Sequence, residues 1–227
     1  MTQPRASVES LGQALAEPRR LRILLELLGG VPLPAGALAA RIGVAPSTVS
    51  GHLARLQEAG LVRVEQRGRA RCAMLADPSV AEAVEALLRM SAEPAVASWS
   101  GSDRRLAMRR ARSCYDHLAG DLGIAMTDHL VAHGWVDPDV GSAIAPVDRI
   151  ARGLGLALTL AESPRPLVRG CTDWTARRSH LAGRLGAAIL TALLTEGWLT
   201  RRRDDRSLRI TPRGEEGFAL FGIRILG

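Results

Sequence analysis

Apolar residues recur along the first ninety positions with a helical period. Leu21, Leu24, Leu25 and Leu28 stand at spacings 0, 3, 4 and 7, the pattern of a buried helical stripe. Pro18 fits the first turn of that helix, where its missing N–H costs nothing, and Gly29-Gly30 stop it. A short helix over about 7–16 precedes it, with Val8, Leu11 and Leu15 on one side. Residues 35–42 read as another short helix, closed by Gly43. A longer one runs from Pro46 to about Ala59 and ends at Gly60. Residues 61–65 and 71–75 read as short strands, joined by a hairpin tip over 66–70. Residues 78–90 carry Val80, Val84, Leu87 and Leu88 as a helical stripe.

The pattern then changes. Residues 91–103 contain Pro94, Gly101 and several serines and read as a linker. Residues 104–133 look helical, with a break at Gly120 or Gly123, and 138–146 look like a loop. Residues 151–160 are apolar and fit either a strand or a buried helix. Pro164 and Pro166 prevent regular structure. Residues 176–196 read as one long helix. Two strands, 198–200 and 208–211, flank the charged turn 201–207. Thr211 then caps a last helix with Pro212 in its first turn.

The second half echoes itself. His117-Leu118-Ala119-Gly120-Asp121-Leu122-Gly123 resembles His180-Leu181-Ala182-Gly183-Arg184-Leu185-Gly186 at an offset of 180 − 117 = 63, and Gly134-Trp135 matches Gly197-Trp198 at the same offset. A duplicated helix-strand module is the expectation. The predicted fold is mainly α with short β-hairpins. Three parts are expected: 1–92, helical with one hairpin, a linker over 93–103, and 104–227, an α/β domain whose closing strand, charged turn, strand and helix look winged-helix-like.

The chain has 227 residues, 47% apolar and only 3% aromatic, so its cores rest on aliphatic side chains and favour helices. Its formal charge is +7, which suits a polyanionic partner. There is no lysine. A GC-rich coding bias accounts for that choice of base and leaves the positive charge untouched. Three cysteines, Cys72, Cys114 and Cys171, are too few for a disulfide framework and fit a reducing compartment. No apolar run approaches the ~20 residues that span a bilayer, and residues 1–10 lack a signal-peptide core. A cytoplasmic protein with no membrane partner is expected.

Residues 38–56 form the helix, glycine turn and second helix of a helix-turn-helix. In the second helix Val49, Leu53 and Leu56 share one face and Thr48, His52 and Arg55 the other. Ser47, Ser50 and Gly51 lie near its N-terminal end, the part that enters a major groove. Small hydroxylated residues there allow close approach to phosphates and base edges. In the hairpin, alternation brings Arg67, Arg69 and Arg71 to one face, a surface suited to phosphate or the minor groove. A solvated surface hairpin is the plainer alternative.

Three stretches, residues 15–24 (LAEPRRLRIL), 47–53 (STVSGHL) and 58–62 (EAGLV), resemble the ArsR/SmtB family of winged-helix repressors. The resemblance covers roughly 8–90. It implies that 1–92 is a winged helix-turn-helix domain for DNA binding and dimerisation, that the protein is a homodimer on palindromic double-stranded DNA which releases its operator when an effector binds, and that 104–227 is the regulatory or effector-sensing domain. It also exposes departures. Residues 35–42 lack the cysteine pair of metal-sensing members, and 78–90 lack the histidine ligands that others carry.

The C-terminal half holds other candidates. Cys114, Asp116 and His117 fall in a predicted helix, where Cys114 and His117 share a face. Cys171 and Asp173 precede His180. Together these six could hold a transition metal, act as a thiol sensor of oxidants or electrophiles, or be a buried thiol among bonded polar groups. His129 and His133 stand four apart on a helix without the intervening Glu of hydrolytic zinc sites. Trp135, Trp174 and Trp198 either anchor the core or line a ligand pocket. The effector itself, small molecule or metal, is not identified. An enzyme fused to a DNA-binding module is disfavoured, because Gly153-Leu154-Gly155 is too short for a cofactor loop. A protein-interaction winged helix is disfavoured by the exposed cationic faces.

Overall fold

Capping chemistry sets the first elements. Ser7 accepts a bond from the Ser10 amide at 3.2 Å and opens α1 (Val8–Leu15). Glu17 caps α2 (Pro18–Leu27), with Pro18 in its first turn. The computed structural model describes residues 6–90, 102–137, 139, 141–202 and 205–223. The linker expected at 93–103 lies outside them up to residue 101. The chain divides into two compact units, Met1–Ser91 and Ala92–Gly227.

In the first unit, β1 (Leu33–Pro34) leads into α3 (Ala35–Ile42) and α4 (Pro46–Glu58). Between those helices Gly43 adopts φ 72°, a left-handed turn that a side chain resists. Then β2 (Val62–Arg67) and β3 (Ala70–Leu75) form a hairpin, and α5 (Pro78–Met90) closes the unit. The sheet order is β1-β3-β2; Pro34 sits on an edge strand, where its missing donor is tolerated. α2 buries Ile23, Leu24, Leu27 and Leu28. Leu21 and Leu25, expected in the stripe, are half-buried at its margin, because at 100° per residue the packed face centres on Leu24 and Leu27. In α5, Val80, Ala81, Val84 and Leu88 are buried while Leu87 turns outward.

The second unit departs further from expectation. α6 (Ser102–Arg110) ends early, and β4 (Arg112–Cys114) and β5 (His117–Ala119) form a hairpin before α7 (Asp121–Ala132). β6 (Val136–Asp137) pairs with β7 (Ser142–Ala143), within the expected loop, and α8 spans Val147–Leu154. The order then repeats: β8 (Arg169–Thr172) and β9 (Ser179–Ala182), α9 (Gly183–Thr195), β10 (Leu199–Arg201) and β11 (Leu208–Ile210), α10 (Pro212–Leu220). The helix predicted over 176–196 therefore starts seven residues late, after a strand.

Each repeat is hairpin, helix, small hairpin, helix. They are interlocked. α7 packs on β9 and α9 on β5, so each helix rests on the other repeat's hairpin. Gly123 and Gly186 let each helix close on its own repeat's strand, and Gly186 also comes close to the other repeat's His117. A Cβ on Gly123 would stand 2.6 Å from the Leu118 carbonyl oxygen, and one on Gly186 would stand 2.5 Å from that of Leu181 and 3.2 Å from the His117 Cβ. Leu122, Leu130, Trp135, Leu185, Leu193 and Trp198 share one core. Trp135 lies against Gly153 and Trp198 against Gly217, so these two tryptophans are core anchors.

Candidate functional site

α4 divides as the sequence indicates. Val49, Leu53 and Leu56 are buried. Ser47, Ser50, Gly51 and Arg55 are exposed, and Thr48 and His52 are half-buried. The Ser50 hydroxyl donates back to the Pro46 carbonyl at 3.0 Å. A Cβ on Gly51 would meet nothing within 4 Å, so nothing in the fold requires glycine there. Arg55 pairs with Glu58 at 3.1 Å on the surface.

The hairpin corrects one expectation. Its turn is only Gly68-Arg69, with Arg67 opposite Ala70 and Gln66 opposite Arg71. Cross-strand partners share a face and neighbours along a strand do not. Arg67 and Arg71 therefore lie on opposite faces of the ribbon rather than lining up with Arg69. Arg67 joins Arg63 around Glu65, at 3.7 and 3.2 Å. All three arginines, Arg67, Arg69 and Arg71, remain exposed at the tip.

In the second unit, Cys114 and His117 are cross-strand partners in the β4–β5 hairpin. They do not lie on a helix. The turn between them holds Tyr115 at φ 58°. Cys171 and His180 are cross-strand partners in β8–β9. Ligand atoms of these four residues lie within 4.8 Å of one another. The two sulfurs are 3.9 Å apart, and the two imidazole centroids 5.1 Å. No cysteine is in a disulfide. His117 Nε2 and both ring nitrogens of His180 are buried without a hydrogen-bond partner, a costly state for polar atoms unless something binds them. Two sulfurs and two imidazoles are the donor set of tetrahedral zinc-type sites, so these residues fit a metal.

Asp116 and Asp173, expected among the ligands, stand behind the imidazoles instead. Asp116 lies 3.3 Å from His117 Nδ1 and is gripped by both Arg165 terminal nitrogens. Asp173 lies 3.8 Å from His180 Nδ1. It accepts from Arg112 at 2.7 Å and from the Gly120 amide at 2.9 Å. Arg112 and Asp173 are both fully buried, and the Arg112 guanidinium also lies over Trp174 at 5.1 Å.

Charges in the cluster are arranged unevenly. Burial disfavours a charged Asp173, but the Arg112 guanidinium and further hydrogen bonds outweigh it and hold the carboxyl far below its usual range. Burial likewise opposes a charged His117. The Cys114 sulfur and Asp116 outweigh that and raise it to about 9. His180 is pushed well below the usual imidazole value, first by burial and then by its neighbour His117.

The His129 and His133 rings lie with centroids 4.2 Å apart and tilted by 40°, and the His133 ring bonds the His129 carbonyl at 2.8 Å. They are not part of the cluster. Arg203 and Asp204, in the charged turn, lie outside the described residues.

A helix-turn-helix domain profile matches residues 15–65. YdfF of Bacillus subtilis (strain 168), an uncharacterised HTH-type transcriptional regulator, is 36% identical over 215 residues, 93% of this chain and 95% of that protein. The chain belongs to the ArsR/SmtB family of HTH-type transcriptional regulators. The regulator is therefore a DNA-binding transcription factor built on a winged helix-turn-helix. Two solved structures are similar to part of the chain. The cadmium metal-sensor CmtR from Mycobacterium tuberculosis is 41% identical, covering 40% of this chain and 99% of that one, TM-score 0.33. The homodimeric winged helix-turn-helix domain of Mb0332 from Mycobacterium bovis, described as possibly ArsR-family, is 34% identical, covering 37% and 75%, TM-score 0.34. Among the described residues no helix is long and apolar enough to cross a membrane.

Sequence reasoning names all four cluster residues but not what joins them. The histidines share the 63-residue offset; the cysteines stand at 171 − 114 = 57. The difference of six is the longer β8–β9 connection. Arg112 and Arg165 escape it altogether, since a single arginine in an arginine-rich chain carries no signal.

Proposed function

We propose that the regulator is a repressor, held on a palindromic operator as a homodimer and released when its C-terminal unit binds a transition-metal ion. Residues 1–92 would bind DNA and dimerise, and 104–227 would sense the ion in the cytoplasm, where thiols stay reduced. DNA contact is assigned to Ser47, Thr48, Ser50, Gly51, His52 and Arg55 on α4, and to Arg67, Arg69 and Arg71 at the wing. Dimerisation is assigned to the helices flanking the winged helix, as the family resemblance implies.

The observation that carries the sensing half is the convergence of Cys114, His117, Cys171 and His180 within 4.8 Å, with buried ring nitrogens left unbonded. Four protein ligands leave no open position, which fits binding rather than catalysis. The ion would supply a positive centre that ties sulfur and nitrogen from two hairpins together. The 3.9 Å sulfur separation favours a second reading, a thiol pair that oxidation closes into a disulfide.

The test is fluorescence anisotropy on DNA from the protein's own upstream region, with separate additions of zinc, cadmium, cobalt and peroxide. Release by a metal ion under reducing conditions supports the first reading. Release by peroxide alone favours the second. Failure to bind that DNA at any salt concentration overturns the operator assignment.

A further inference from the structure

Both imidazoles in the cluster have a carboxylate behind them, in hydrogen-bond contact at His117 and 3.8 Å away at His180. His117 has Asp116 at its Nδ1, and Asp116 is held by Arg165. His180 has Asp173 near its Nδ1, and Asp173 is held by Arg112. The Nε2 atoms of both rings are buried and unbonded, and so is Nδ1 of His180. The two arginines do not correspond in sequence. Arg112 belongs to β4 and Arg165 to the segment before β8, so each carboxylate is gripped from the other repeat. This follows from the interlocked packing of α7 on β9 and α9 on β5.

We infer that the cluster is a closed tetrahedral site for one zinc-like divalent ion, bound through Nε2 of both histidines and both cysteine sulfurs, with Asp116 positioning His117 in an Arg165–Asp116–His117 relay and Asp173, held by Arg112, standing in the corresponding place behind His180. The inference rests on the metal-sensing reading and deepens it. A ligating imidazole that donates its other N–H to a carboxylate has its tautomer and ring direction fixed, and is a stronger donor. An Arg–carboxylate bond fixes the carboxylate in turn. Each repeat gives one sulfur and one imidazole, so the ion joins the repeats across their internal symmetry. Soft and borderline donors select zinc, cadmium and cobalt over magnesium or calcium, which prefer oxygen.

The experiment uses the full chain, reduced and stripped with a chelator, and titrated with cobalt(II). One equivalent should give the intense visible bands of tetrahedral cobalt and a thiolate-to-cobalt charge-transfer band. Asp116→Asn should lower zinc affinity about 10- to 100-fold in competition with a chromophoric chelator, with the tetrahedral spectrum retained. Asp116 is partly exposed, so this variant should fold; its metal-free melting curve checks that. Asp173→Asn is the buried counterpart. In the zinc form, nitrogen-15 NMR of the two rings should show Nδ1 protonated and Nε2 metal-bound.

The outcomes separate the two layers. If the wild-type chain takes up no cobalt or zinc, the metal reading fails and this inference with it. If it binds metal but Asp116→Asn binds equally tightly, or the rings ligate through Nδ1, the relay is overturned while metal sensing stands. A weak, octahedral cobalt spectrum overturns the closed tetrahedral site.

Discussion

Cys114 and Cys171, 57 positions apart in the chain, bring their sulfur atoms to 3.9 Å because each ends in the same place in a repeated hairpin. The same repetition faces His117 with His180. A binding site placed between two copies of one module responds to how the copies are held. An ion there would stabilise the second unit by mass action. Zinc at about 100 times its Kd should add ~2.7 kcal/mol, read as a rise in melting temperature on metal addition. In Cys114→Ser or Cys171→Ser that rise should vanish. An equal rise in both variants would place the ion elsewhere.

The buried pair of Arg112 and Asp173 supports the site from behind. Breaking a fully buried pair leaves an uncompensated charge and costs about 3–5 kcal/mol. Asp173→Ala should therefore unfold at markedly lower denaturant concentration, with or without metal. Replacing Asp116, which is partly exposed, should cost much less. Equal stability losses in the two variants would contradict this account of the asymmetry.

Gly186 sits where a side chain has no room. Its substitution by alanine would press a methyl group against the Leu181 carbonyl and the His117 Cβ. Overpacking of this kind costs about 1–3 kcal/mol, and here it would also displace a proposed ligand. Gly186→Ala should lower both thermal stability and zinc affinity, measured by calorimetry and chelator competition. Unchanged zinc affinity would contradict the expected displacement of His117.

Gly51 is the opposite case. It lies inside α4, exposed, with open space around it. Alanine there should stabilise the helix by roughly 0.5–1 kcal/mol. If α4 lies against DNA, the added methyl group should weaken operator binding by about tenfold, or ~1.4 kcal/mol. A variant that is more stable and binds DNA as well as the wild type would remove this part of the helix from the interface.

The arginines at the wing should reveal themselves through salt. Each neutralised phosphate adds about 0.9 to the slope of log affinity against log salt concentration. Arg69→Ala and Arg71→Ala should each lower that slope by about 1 if the arginine neutralises one phosphate. An unchanged slope in both variants would take the tip of the wing off the DNA backbone. Arg55→Ala should weaken binding without changing the melting temperature, since its one ion pair is on the surface.

Much of the first unit is legible in the sequence because its helices are long enough for the 3.6-residue period to show, and because Gly43 and Gly60 mark their ends. Faces are read less well where the stripe is wide, as at Leu21 and Leu87. In the second unit the strands are two to four residues long. Arg112–Cys114 and Ser179–Ala182 are almost wholly buried, so they show no alternation and merge with the neighbouring helices. The candidate ligands stand out all the same, since cysteine and histidine are scarce. Their pairing does not, because unequal turns hide the second cysteine from the repeat. Asp116 and Asp173 look like ligands from residue type alone. An arginine from a distant segment holds each carboxylate behind its imidazole, and spacing along the chain gives no sign of it.

The most direct measurement is a metal titration of the operator-bound protein, followed by anisotropy under reducing conditions. Release complete at one zinc or cadmium ion per protomer, and lost in Cys171→Ser while operator binding persists, is the predicted result. A complex that stays intact at saturating metal, or a Cys171→Ser variant that lets go as readily as the wild type, would contradict it.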